Sequence, residues 1–192
     1  MATVINAQTS AGGLSITPDL SGQIALQSNG TTVATMNSTT LSVPNGIGGI
    51  PAFSYFASTD QAIATATATK VTYPTSLYDT TGGMYNSSTS RFTPTVAGYY
   101  QVIAFFEYYS SSSTAVRDIY IYKNGGLYRR GQQQTAATNA NTTSLANAIV
   151  FLNGSTDYLE IYAYQSTGSS LSIANSNGQS FNGFEACLMR SQ

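Results

Sequence analysis

Charge is what this sequence has least of. Only 8 % of its 192 residues are Asp, Glu, Lys or Arg, against roughly a quarter in an ordinary soluble protein. Seven basic and eight acidic residues leave a formal net charge of -1. A nucleic-acid binder needs a basic footprint that releases counterions, and scattered cations supply none. The one basic doublet, Arg129-Arg130, reads as a solvated hairpin tip. Near-zero charge also removes the repulsion that keeps copies apart, which favours self-association. Histidine is absent and cysteine occurs once, as Cys187. Those two shortages exclude a Cys/His zinc cluster, an imidazole general base and an intrachain disulfide. Cys187 reads as a small hydrophobe in a terminal strand. The chain does not open on a basic start and an apolar run, so no signal peptide is predicted. Nor does it hold an apolar run of about 18 residues, so no membrane insertion is expected.

In place of charge stand Ser, Thr, Asn, Gln, Gly and 14 tyrosines, with an apolar fraction of 42 %. That composition supports a core and suits strands and turns better than long helices. Residues 1–50 carry only short apolar pieces, such as Leu14 with Ile16, Ile24 with Leu26, and Val33 with Met36, split by Gly, Asn, Ser and Pro. They read as a short β-rich or extended N-terminal segment for attachment or extension, too poor in apolar side chains to fold alone. A flexible polar leader is the other reading. Asn45 to Gly49 reads as a hinge.

Residues 51–192 read as one all-β domain. Strands are predicted at Ala52 to Phe56, Lys70 to Tyr73, Arg91 to Thr93, Gly98 to Tyr109, Arg117 to Lys123, Thr143 to Leu152, Asp157 to Tyr164 and Gly183 to Met189, with shorter ones near Leu127 and Leu171. Gly82-Gly83, Asn124-Gly125-Gly126, Asn153-Gly154 and Asn177-Gly178 mark turns between them. Many short strands with no helical apolar period describe a sandwich or jelly roll.

Side chains alternate faces along a strand, so a half-exposed strand shows one polar set. From Gly98 to Tyr109 both sets are largely apolar: Tyr100, Val102, Ala104, Phe106 and Tyr108 against Tyr99, Ile103, Phe105 and Tyr109. One face meets the core and the other must meet something else. Elsewhere an aliphatic face (Ile119, Ile121, Leu159, Ile161) is backed by tyrosines. These features predict a homotrimer whose interface draws on Tyr100, Val102, Phe105, Tyr120, Tyr122, Tyr158, Tyr162 and Tyr164. The same rings would also tile the solvent face of a low-charge protein, or form a platform for carbohydrate.

Several stretches resemble C1q-like domains, the trimeric jelly rolls of the C1q/tumour-necrosis-factor superfamily. They are Pro51-Ala-Phe-Ser-Tyr-Phe56, Tyr85-Asn86, Ser90-Arg-Phe92, Pro94-Thr-Val-Ala-Gly-Tyr-Tyr100, Ile121-Tyr-Lys-Asn-Gly125, Leu145 through Gly154 to Leu159, and Phe181-Asn-Gly-Phe-Glu185. They fall in the family's order across residues 51–189. The resemblance implies a C1q/TNF-like jelly-roll β-sandwich, homotrimeric, with Phe92, Tyr100, Phe181 and Phe184 in or near the core. Ser155 and Thr156 interrupt the family's Gly-Asp pair, Asn86 stands where an aspartate is usual, and no collagen-like stalk is present. Paired carboxylates are lacking too, so no calcium, other metal or cofactor is expected.

Gly13 to Gly22 and Leu26 to Met36 are similar to segments in fibre and other structural proteins of tailed bacteriophages. That resemblance implies a virion protein made in the host bacterial cytoplasm. It would be a short fibre, knob or capsid decoration protein, with residues 1–50 engaging other virion proteins and a host-surface glycan or protein as candidate partner. A 50-residue leader extends at most about 170 Å, short for a long shaft. A long tail-fibre tip and a non-viral bacterial surface or matrix module remain as alternatives. An enzyme such as a glycan hydrolase would need two carboxylates at controlled separation. Glu107, Asp157, Glu160 and Glu185 lie in predicted strands without clustering in sequence, so no catalytic role is expected.

Overall fold

The computed structural model describes residues 24–28, 31–36, 41–42, 50–112, 114–135, 139–174 and 181–191. It divides into two compact units, Met1–Gly48 and Gly49–Gln192. The predicted hinge at 45–49 and the apolar pair Leu14 and Ile16 lie outside the described residues.

In the first unit β1 (Ile24–Ser28), β2 (Thr31–Met36) and β3 (Leu41–Ser42) form an antiparallel three-stranded sheet in sequence order. The β1–β2 pairing runs from Ile24 opposite Met36 to Ser28 opposite Thr31. Ala34 is buried, while Leu26 and Met36 are exposed. So small a sheet buries too little apolar area for independent stability.

The second unit is a two-sheet sandwich. Sheet I contains β4 (Ala52–Phe56), β5 (Gln61–Ile63), β7 (Thr75–Asp79), β10 (Gly98–Tyr108), β13 (Thr142–Leu152), β15 (Leu171–Ile173) and β16 (Asn182–Ser191). Its order is β5-β15-β10-β16-β4-β7, with β13 on the other edge of β10. Sheet II contains β6 (Thr69–Lys70), β8 (Tyr85–Asn86), β9 (Arg91–Phe92), β11 (Val116–Lys123), β12 (Gly126–Thr135) and β14 (Leu159–Gln165). Its order is β12-β11-β14-β9-β8, with β6 also pairing β14. No helix occurs among the described residues.

Strand β10 is the spine. Tyr100, Val102, Ala104, Phe106 and Tyr108 point between the sheets and are fully buried, facing Ile119, Ile121, Leu159, Ile161 and Ala163 of sheet II. At one end the core is aromatic. The ring of Phe53 lies 4.6 Å from that of Phe92 and 5.2 Å from that of Phe184. Phe92 in turn meets Tyr100 edge-on at 5.3 Å. Such pairs add directionality to plain burial. Two of the core hydroxyls are bonded locally: Tyr100 Oη donates to the Val96 carbonyl at 2.8 Å, and Tyr108 Oη to the Tyr164 carbonyl at 2.9 Å.

Two backbone positions explain why the sequence must turn where it does. Asn124 and Gly125 have φ of 53° and 79°, the left-handed pair of a two-residue hairpin joining Lys123 to Gly126. At Gly98, where β10 enters between β13 and β16, an added Cβ would collide with the Arg190 carbonyl and the Leu188 side chain. The Arg129-Arg130 doublet corrects one reading. It lies within β12, past the Asn124-Gly125 turn, and is not the hairpin tip.

Candidate functional site

A sandwich has two outward faces, and both carry unusual side chains here. On sheet I the outward residues of β10 and β13 are cross-strand neighbours: Phe105 opposite Leu145, Gln101 opposite Ile149, Tyr99 opposite Phe151. Ile149 is 57 % exposed and Leu145 42 %, with Ile103 and Phe105 half-buried beside them. Gly183 on β16 lies under Phe105, so that a Cβ there would meet the ring. The absent side chain lets the phenyl lie flat on the sheet. Toward β4 and β7 the face becomes polar, where Ser54 Oγ donates to Glu185 Oε1 at 3.0 Å and Tyr78 is exposed. Cys187 sits beside them, half-buried and unpaired by disulfide.

On sheet II the outward face carries tyrosines between two ion-pair clusters. The rings of Tyr122 and Tyr162 stack at 4.1 Å. Tyr120 and Tyr164 stand 6.3 Å apart at 35°, splayed rather than stacked. In one cluster Glu160, 2 % exposed, receives Lys70 Nζ at 2.7 Å and Arg91 Nε at 2.9 Å. The Arg91 guanidinium also lies 4.1 Å from the centre of the Tyr158 ring. In the other, Asp118 Oδ2 receives Arg130 at 2.6 Å and the Tyr120 hydroxyl at 2.9 Å. An open cavity of about 360 Å³ lies over this second cluster, lined by β11, β12 and β14.

These two faces belong to a known architecture. No protein-family model and no curated protein matches the chain. Solved structures do. The globular domain of zebrafish complement 1qA aligns with a TM-score of 0.53 at 15 % identity, over 74 % of this chain and 99 % of that one. The Eiger TNF from S. frugiperda aligns at 0.56 and 11 % identity, over 75 % and 95 %. Murine APRIL aligns at 0.55 and 8 % identity, over 73 % and 99 %. The fold is the C1q/TNF jelly roll. At these identities the likeness concerns the fold alone.

Within this C1q/TNF-like frame the predicted interface residues do not form one surface. Tyr100 and Val102 are wholly buried in the chain's own core, so a second copy cannot reach them. They point inward because their strand-mates Ala104 and Phe106 do. Phe105 is on the outward face of sheet I. Tyr120, Tyr122, Tyr162 and Tyr164 are on the outward face of sheet II, on the far side of the sandwich, with Tyr158 beside Arg91 at its edge. The carboxylates weighed for catalysis are likewise dispersed among separate partners. Asp157 is bound to Lys123 and the Asn124 amide, Glu107 to the Asn141 amide, and Glu185 to Ser54. Among the described residues no three acidic or cysteine side chains gather as a metal site.

Asp118, Arg130 and Gln133 escape a reading by strand period. Gln133 stands directly across from Asp118, and a register shift places Arg130 across from Tyr120. Only the hairpin's irregularity brings Arg130 to Asp118. The one sequence signal was an acidic residue in a strand whose hairpin partner carries Arg and Gln.

Glu160 makes a pH prediction. Burial alone would raise its pKa, but hydrogen bonds and charge from Lys70 and Arg91 outweigh that and hold it below the usual 4.5. A depressed carboxylate contributes stability that is fully present above the ordinary value and lost as pH falls through the folded one. Thermal midpoints should therefore decline below about pH 4.5. Glu160→Gln should flatten part of that decline; an unchanged acid profile in the variant would show that the cluster is not coupled to folding.

Proposed function

We propose that this chain is a non-enzymatic structural protein that assembles as a homotrimer through the outward face of sheet I. The observation that carries the reading is the exposed apolar strip of Ile149, Leu145, Phe105, Ile103 and Tyr99 on two adjacent strands. Large contiguous apolar patches on a folded chain mark association surfaces. With a net charge of -1 little repulsion opposes self-association.

Geometry favours one face over a combination of both. If the front of one sandwich met the back of the next, the contact would repeat by near-translation and give an open fibre. A closed trimer needs the contact to turn through a third of a circle, which one face with its adjoining edge supplies. Sheet II is the poorer candidate, because its tyrosines are interleaved with ion pairs that would have to be desolvated.

Within that assembly the proposed role is a tailed-phage virion protein: a short fibre, knob or capsid decoration protein. Support comes from the phage-like sequence of residues 13–36 and from the low-charge, histidine-free composition. The jelly roll would project outward and meet the host surface, while residues 1–50 engage other virion proteins. Light scattering tests the assembly: a trimer has a mass of about 61 kDa, three times the 20.2 kDa chain. A monomeric mass at micromolar concentration overturns it. Immunogold labelling tests the location, and particles that carry no label on head or tail remove the virion role.

A further inference from the structure

The cavity over Asp118 on sheet II is separate from the proposed trimer face, and its floor is chemically incomplete. Asp118 lies on the outward side of β11 yet has no exposed surface, because Tyr120, Arg130 and Gln133 cover it. Its Oδ2 accepts from all three. Its Oδ1 is equally buried and meets no donor. A buried carboxylate oxygen without a donor is costly. The walls add the splayed rings of Tyr120 and Tyr164 and the exposed side chain of Leu127. At about 360 Å³ the cavity falls in the lower range of small-molecule sites.

We propose that this cavity binds one neutral pyranose unit of a surface saccharide. A pyranose carries vicinal hydroxyls, each both donor and acceptor, around a ring with an apolar C–H face. Asp118 itself is closed off, so its part is to hold Arg130, Gln133 and Tyr120 in place around the cavity. The Arg130 guanidinium and Gln133 amide have further N–H groups to give to the neighbouring oxygens. The C–H face rests on Tyr120 or Tyr164, whose rings are too splayed to occupy each other. Tyr122 and Tyr162, stacked at 4.1 Å, close their inner faces to any ligand. Charge selects a neutral sugar, because Asp118 and Arg130 cancel and leave no net charge to hold an anion. The cavity is shallow and open, so a single site binds weakly, and three sites on one trimer give avidity. This inference names the ligand class for the host-contacting role proposed above and rests on that role for its biological meaning.

The test is saturation-transfer NMR of the full chain with methyl glucoside, methyl galactoside, methyl mannoside and methyl N-acetylglucosaminide, with methyl glucuronide as the acidic probe. At least one neutral glycoside should receive saturation at its ring C–H protons at millimolar concentration. Gln133→Ala and Arg130→Met should each weaken that binding about tenfold, the loss of one hydrogen bond to a polar ligand. Gln133 is exposed, so its variant decides the matter even if Arg130→Met folds poorly. No saturation of any neutral glycoside overturns the proposal, as does stronger binding of the glucuronide. Binding that persists undiminished in Gln133→Ala also overturns it, because the sugar then sits elsewhere. A monomeric mass with glycoside binding intact would remove the trimer and leave this site standing.

Discussion

Ile149→Asp should convert the proposed trimer to folded monomers of 20.2 kDa. Ile149 is 57 % exposed in the single chain, in the middle of the apolar strip and across from Gln101. In an isolated protomer the aspartate faces water, so the fold loses little. In the assembly it would be buried without a partner. An uncompensated buried charge costs roughly 3–5 kcal/mol, and every copy contributes one. Each contact would weaken by roughly two to four orders of magnitude. Scattering at micromolar concentration should report the monomer, while the circular dichroism spectrum stays that of the parent. Tyr162→Asp, on the opposite side of the sandwich, should leave the mass unchanged. The reverse pattern would move the interface to sheet II.

Phe184→Ala should produce the largest loss of stability of any single truncation in the sandwich. Its ring meets Phe53 and Tyr85 edge-on at 5.2 and 5.7 Å, and Tyr73 at 5.8 Å. It reaches Phe92 edge-on at 6.4 Å. These neighbours come from both sheets and from the segment before β7, and all but Tyr73 are fixed by strand pairing and by another ring. The vacated space therefore cannot collapse. Core Phe→Ala changes of this kind cost about 3–5 kcal/mol, a large share of the roughly 5–15 kcal/mol that holds a domain together. Urea unfolding should show a midpoint shifted by that amount with little change in slope. A loss below about 1 kcal/mol would mean that the aromatic cluster repacks around the gap.

The two predictions separate because they fall on opposite faces of sheet I, on the two strands that flank β10. Ile149 on β13 points out, and Phe184 on β16 points in. Stability is then a property of the inward set and assembly a property of the outward set. The carboxylate clusters of sheet II belong to neither. That leaves them free to serve a ligand.

Much of the fold was legible. The strand β10, the hairpin at Asn124-Gly125 and the aliphatic faces of β11 and β14 all follow from local pattern, because side-chain alternation and turn chemistry involve only neighbouring residues. Strand β12 was legible only near Leu127. It runs from Gly126 to Thr135 at the edge of sheet II, its residues GLYRRGQQQT largely exposed, so nothing alternates. Strand β7 was missed for a similar reason, being short and at the edge of sheet I.

By itself the sequence determined that β10 has two apolar sets and that both must be covered. It could not say which set the chain covers with its own second sheet. Period fixes which residues share a face, while the choice of inner face depends on strands up to a hundred residues away. The tertiary structure decided it: Tyr100 and Val102 went inward, and Phe105 and Ile103 stayed outside with Ile149. It also decided that the tyrosines of β11 and β14 lie across the sandwich from that strip, and that a register shift in one hairpin lays Arg130 over Asp118. The physical reason is the same in each case, since side-chain alternation is local and sheet pairing is not.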